Sequence, residues 1–163
     1  MSRPPFLIPT ADLARRPGAR QRIVATGPLA DVALSSARLT GDDVTVDVTI
    51  ESQGDTVTVT GTARGRWVGE CRRCLETTGG EVEVQLSEVF EPHPVEGETY
   101  PLGRDALDLE PLLREAFALA LPLAPLCDEA CAGPDPEVHP VRTEEAEPPA
   151  DPRWSALDSL RFE

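Results

Sequence analysis

Val44-Thr45-Val46-Asp47-Val48-Thr49-Ile50 alternates apolar and polar residues without a break, and Thr56-Val57-Thr58-Val59-Thr60 does so again a few residues later. A period of two places the β-branched apolar side chains on one face of an extended chain and the threonines and aspartate on the other. Ser52-Gln53-Gly54-Asp55 turns the chain between the runs, so they read as a hairpin with one buried and one wet face. The second run passes Gly61 and Gly65, which mark a bulge or a close backbone approach before Trp67, and continues toward Cys71 at the end of a sheet. Residues 77–80 read as a turn punctuated by Gly79-Gly80. Alternation resumes over residues 81–90 through Val82, Val84 and Leu86, and shifts phase at Val89 and Phe90. These signals predict an antiparallel meander with Cys71 and Cys74 at a hairpin end.

Before the hairpin, Phe6-Leu7-Ile8 reads as a short strand stopped by Pro9, Thr10 as the cap of a helical turn through Asp12, Leu13 and Arg16, and residues 23–26 as a strand. Arg15, Arg16, Arg20 and Arg22 cluster here, and a solvated charged face is the simpler account of them than an RNA contact. Residues 92–103 read as a loop. Asp108 then caps the one strong helix, where Leu109, Leu112, Leu113, Ala116, Phe117, Ala120 and Leu121 recur at helical spacing and Pro122 ends the run. That broad apolar face covers the sheet. The expected class is α+β: an antiparallel β meander covered by one main amphipathic helix, with an acidic C-terminal tail and a short terminal helix. The expected domains are residues 1–131 as a single unit, 132–150 as an acidic, proline-rich linker, and 151–163 as a short helix opened by Asp151-Pro152 and carrying Trp154, Leu157, Leu160 and Phe162. The terminal helix docks back on the domain in preference to anchoring a partner.

The chain of 163 residues suits one domain and carries a net charge of −14. Ten arginines face eight acids in residues 1–74, a net of +2, whereas five face twenty-one in residues 75–163, a net of −16. Such a chain repels phosphate backbones as a whole and suits a basic protein partner, while leaving room for a local arginine patch. Lysine is absent, which removes Schiff-base chemistry and a phosphate-loop lysine. No signal peptide is visible, and the most apolar run, residues 116–126, is too short for a bilayer and is broken by Pro122 and Pro125. The expectation is a soluble cytoplasmic protein.

The four cysteines form two close pairs, Cys71/Cys74 and Cys127/Cys131. Two residues between thiols lets one tight turn aim both sulfurs at one ion, and two such pairs complete the tetrahedral set of a closed structural zinc site. Asp128 and Glu129 offer oxygen ligands that could substitute, and His139 is a weaker fallback. Unligated thiols filling space as small hydrophobes, or a redox dithiol favoured by Arg72 and Arg73, are the alternatives. The two histidines, His93 and His139, sit in no catalytic signature, no glycine-rich phosphate loop is present, and the aromatic residues form no patterned stacking set. No enzyme is expected.

Cys71-Arg72-Arg73-Cys74-Leu75-Glu76, Asp108-Leu109-Glu110-Pro111, the run from Leu121-Pro122 to Cys127, the closing Asp151-Pro152-Arg153-Trp154 and the early Leu13-Ala14-Arg15-Arg16-Pro17-Gly18 together resemble the YceD family, the large ribosomal RNA subunit accumulation proteins. The resemblance implies a non-enzymatic bacterial protein required for normal accumulation of large-subunit ribosomal RNA. Many members carry a further cysteine pair soon after the position of Cys131, where this chain has Ala132-Gly133-Pro134-Asp135-Pro136. With the resemblance, the expected partners are large-subunit ribosomal RNA or its precursors and a basic ribosomal protein, with no membrane and no small-molecule substrate. Arg64, Arg66, Arg72 and Arg73 are the RNA-contact candidates. A CxxC thiol redox protein and a structural interaction module without an RNA role are the competing functions.

Overall fold

The alternation at residues 44–50 is realised without a slip. In the computed structural model, which describes residues 4–10, 18–41 and 43–140, Val44, Val46, Val48 and Ile50 are all at most 1% exposed. They lie on strand β4 (Val44–Gln53), the centre of a sheet that also contains β2 (Arg20–Gly27), β5 (Thr56–Glu70) and β6 (Thr77–Glu91). The order is β2-β4-β5-β6, antiparallel throughout. A two-residue strand β7 (Tyr100–Pro101) adds in parallel to the far end of β6, and β3 (Ala37–Leu39) pairs with the distal part of β5. A separate ribbon joins β1 (Leu7–Pro9) to β8 (Ala106–Asp108), and the helix α1 (Glu110–Ala120) follows directly.

The inner face of the sheet is closed by α1 through Leu112, Leu113 and Phe117, by the ribbon through Phe6, Ile8 and Leu107, and by Leu29 and Val32 of the β2–β3 connection. Burying a side chain such as Phe117 contributes about 1.5–3 kcal/mol by removing apolar area from water. The outer face keeps threonines and a set of cross-strand ion pairs: Arg20 with Glu51, Arg22 with Asp47, and Arg64 with Glu83.

The α+β assignment is corrected by these proportions. Of the described residues 47% are strand and 9% helical, so the protein is mostly β with one helix. The cause lies in β5 and β6, each 15 residues long against an ordinary 5–6 or so, and in short strands such as β1, β3 and β8 that are too brief to show a period.

Three local readings also change. Gly79-Gly80 is strand, paired with Val68 and Trp67. A Cβ on Gly79 would meet the Trp67 carbonyl oxygen at 2.5 Å, and one on Gly80 the Trp67 indole nitrogen at 3.2 Å, so these glycines serve close approach and the turn lies earlier, in the cysteine motif. Phe90 stays in phase with Val84 and Leu86, with Glu88 at the intervening inward position and an unbroken register from Val57↔Phe90 to Glu70↔Thr77. Asp108 belongs to β8, and the helix N-cap is Leu109 without a side-chain cap; the Asp108 carboxylate accepts the Glu110 N–H at 3.0 Å instead. Residues 132–140 form no strand or helix. The helical turn expected near residues 12–16, Arg15 and Arg16, the rest of the acidic linker and the terminal helix at 151–163 lie outside the described residues.

Candidate metal centre

The β5–β6 hairpin ends in the six residues Cys71-Arg72-Arg73-Cys74-Leu75-Glu76. Cys71 N–H donates to the Glu76 carbonyl at 2.8 Å, closing the loop, and Leu75 N–H donates to the Cys71 carbonyl at 2.9 Å. Leu75 takes the left-handed φ of +63°, which turns the chain so that Glu76 returns to pair with Cys71. The second pair arrives from the end of α1. Leu121 and Pro122 stop the helix, Ser36 donates to the Pro122 carbonyl at 3.0 Å, and Arg72 N–H donates to the Pro125 carbonyl at 2.9 Å. These bonds lay residues 122–131 across the hairpin tip. Asp128 shapes the final turn: its carboxylate accepts Ala130 N–H at 2.7 Å and its carbonyl accepts Cys131 N–H at 3.1 Å.

All four sulfurs lie within 4.8 Å of one another. Cys71 Sγ is 3.8 Å from Cys131 Sγ, and Cys74 Sγ is 3.7 Å from Cys127 Sγ. A tetrahedron of thiolates at the usual zinc–sulfur distance of about 2.3 Å has edges of about 3.8 Å, so the donor set has the size that zinc needs. The separations are far from the roughly 2.05 Å of a disulfide. The burial is graded, with Cys71 fully enclosed, Cys74 and Cys131 partly so, and Cys127 exposed.

The electrostatics divide the sulfurs. Backbone N–H groups of Cys74, Cys127 and Arg73 converge on Cys71 and lower its pKa to about 6, the Arg73 amide standing 3.5 Å from the sulfur. Cys127 is raised to about 12, because the Cys131, Cys71 and Cys74 sulfurs crowd it. For Cys74 the Glu76 amide favours the thiolate, but burial and the Cys71 and Cys131 sulfurs outweigh it and the net shift is upward. The surrounding amides thus favour the thiolate at Cys71, and four thiolates this close would require a cation among them.

The structure brings the four cysteines together and separates the four arginines. Arg73 points into the motif, its Nη1 donating to the carbonyls of Glu129 at 2.8 Å and Cys131 at 3.0 Å. Arg64 is paired with Glu83, and Arg66 stands opposite Glu81 on the same outer face. Arg72 is exposed at the tip beside a groove of about 590 Å³ lined by Leu34, Arg38, Val68, Leu75 and Leu123. Asp128 is engaged as a turn-former, and neither it nor His139 belongs to the clustered set. The Pro125 carbonyl, Ser36 and the left-handed Leu75 were not singled out from sequence; only the run Leu-Pro-Leu-Ala-Pro-Leu before Cys127 hinted at an extended arm.

A match to the family described as "Large ribosomal RNA subunit accumulation protein YceD" covers residues 59–161, which takes in both cysteine pairs. The chain belongs to the YceD family. An uncharacterized protein of Mycobacterium tuberculosis, Rv2926c, is 34% identical over 171 residues, spanning 94% of this chain and 80% of that protein. An uncharacterized Mycobacterium leprae protein, ML1660, is 32% identical over 139 residues, spanning 79% of this chain and 64% of its own length. No solved structure matches. The family description ties this YceD-family protein to ribosome biogenesis, through accumulation of large-subunit ribosomal RNA. Among the described residues, no helix is long and apolar enough to cross a membrane.

Proposed function

We propose that the protein supports large-subunit ribosomal RNA accumulation by binding rather than by catalysis, with a structural zinc ion held by Cys71, Cys74, Cys127 and Cys131. The observation that carries this reading is the four-sulfur cluster at the hairpin tip. It brings together two segments some fifty-three to sixty residues apart. Zinc would supply cross-linking there and no reactivity, because four sulfur ligands leave no open position for substrate.

Around that end, Arg38 and Arg72 flank the exposed side chains of Leu75 and Leu123, 68% and 82% accessible. Arginine beside exposed apolar surface suits an RNA loop or end, where bases are unstacked. Of the arginine candidates, Arg72 carries this role best, since Arg64 and Arg73 already hold partners within the protein. The strongly acidic second half suits a basic ribosomal protein. Depleting the protein and restoring wild type, Cys74→Ser or Arg72→Glu tests this: wild type restores large-subunit RNA and its precursors' normal sedimentation, and both variants fall short. Unchanged large-subunit RNA on depletion contradicts the proposal.

A thiol redox role has one observation in its favour, the close approach of the sulfurs in two pairs, Cys71 to Cys131 at 3.8 Å and Cys74 to Cys127 at 3.7 Å. A two-electron oxidant such as a peroxide or a partner disulfide would take two electrons from either pair, which would lose two protons and join as a disulfide. Thiol mapping after mild peroxide treatment decides between them: a reversible Cys71–Cys131 or Cys74–Cys127 disulfide in metal-loaded protein favours the redox reading, and protected thiols favour the structural one.

A further inference from the structure

Among the described residues, strand β6 has a partner along only one of its edges for most of its length. β5 pairs with it from Thr77 to Phe90, but β7 covers only Phe90 and Glu91 on the other side. Among the described residues, nothing pairs with the stretch before Phe90 on that side. The Glu91 carbonyl accepts the Leu102 N–H at 2.9 Å, so it points to the β7 side. Backbone direction alternates with period two along a strand, which sends the N–H and C=O groups of Glu83, Gln85, Ser87 and Val89 to the open edge.

A groove of about 390 Å³ runs beside this edge, between β6 and α1. Its floor is apolar, from Val84, Leu86, Leu112 and Ala116, and Leu119 stands at its margin 81% exposed. Its charged members are Glu83, Glu88 and Glu115, and no basic residue among the described residues lines it. Seven residues from Glu83 to Val89 extend over about 24 Å. An unprotected edge of that length ordinarily invites pairing with another chain.

We propose that this edge is a strand-addition site for an extended, lysine- or arginine-rich segment of a partner protein. Main-chain hydrogen bonds to Gln85, Ser87 and Val89 supply the affinity. Side chains on one face of the incoming strand lie toward α1, where they meet Ala116, Leu119, Glu88 and Glu115, and those on the other face lie beside Glu83 on the outer side of the sheet. The acidic rim repels phosphate, which separates this surface from RNA and assigns it to protein. The proposal rests on the reading that the protein works by holding a basic partner.

The probe is a labelled ten-residue peptide of alternating lysine and valine, titrated with the full chain and followed by fluorescence anisotropy. The control is the same peptide N-methylated at every second residue, which keeps charge and removes strand hydrogen bonds. Saturable binding is expected, at least tenfold weaker for the methylated peptide. Ser87→Pro removes a donor on the open edge without touching the β5 ladder, and Leu119→Lys alters an exposed residue. Both are expected to weaken binding tenfold or more while the circular dichroism spectrum is kept. Absence of binding overturns the proposal, and so does equal binding of both peptides, which reports general attraction to an acidic protein. If Ser87→Pro disturbs the spectrum, amide exchange on the wild type decides: peptide-induced protection at Gln85, Ser87 and Val89 supports the site, and protection elsewhere overturns it. Depletion without an effect on ribosomal RNA removes the ribosomal partner and leaves the peptide result standing; peptide failure alongside RNA loss removes only this site.

Discussion

Replacing Arg73 with alanine separates the structural role of that side chain from the RNA role its position suggests. One guanidinium nitrogen holds two carbonyls, Glu129 at 2.8 Å and Cys131 at 3.0 Å, and so pins the second cysteine turn against the first. A hydrogen bond from a charged donor contributes about 1.5–3 kcal/mol when sheltered. Solvent competition on this exposed side chain reduces the two together to roughly 1–3 kcal/mol. At 1.4 kcal/mol per tenfold, zinc affinity should fall by about five- to 140-fold, which brackets the roughly ten- to a hundredfold typical of groups that orient metal ligands. Competition against a chromogenic zinc chelator measures this directly, with Arg72→Ala as the comparison because its side chain holds nothing in the motif. Competition by Arg73→Ala equal to wild type, or a larger loss in Arg72→Ala, would contradict this role for the Arg73 guanidinium.

Three other substitutions test separate parts of the fold. Gly61 lies in β5 at φ +152°, and a Cβ there would meet the Asp47 carbonyl oxygen at 2.2 Å; Gly61→Ala should cost about 2–5 kcal/mol through backbone strain and separation of β4 from β5. Gly54→Ala, at φ +69° with open space around it, should cost about 1–2 kcal/mol, and equal urea midpoints for the two variants would contradict the close-approach account. Tyr100, the single tyrosine, donates to Glu115 at 2.6 Å, and burial followed by that carboxylate raises its pKa. Its contribution to stability is therefore present below the unfolded value of about 10 and lost as pH rises through the higher folded value. Tyrosinate absorbance at 295 nm should appear in folded protein only well above that pH, and Glu115→Gln should bring it down; a folded midpoint near 10 would contradict the contact.

Much of this was legible in the sequence because of where polar residues fell. Val44 to Ile50 alternate cleanly since one face is wholly enclosed and the other wholly wet, and the paired cysteines announced a joint site at a hairpin end. Glu88 obscured the phase of β6 because an inward-facing acid is uncommon, and here it faces the groove beside Tyr100 and not the closed core. Gly79-Gly80 suggested a turn because glycine serves both turns and close approaches, and only the position of Trp67 across the strands distinguishes them. The balance of strand and helix was misjudged because α1 carries a strong period in 11 residues, whereas three-residue strands such as β1, β3 and β8 carry none. Pairing partners of the arginines were invisible in principle: Arg64 and Glu83 are nineteen positions apart and meet only through the register of β5 with β6.

The most direct test of the sulfur cluster is zinc content together with X-ray absorption at the zinc edge, on protein purified without chelators. The expected result is one zinc per chain with four sulfur neighbours at about 2.3 Å. Folded protein with no metal and four freely titrating thiols would contradict it, as would a shell containing nitrogen or oxygen.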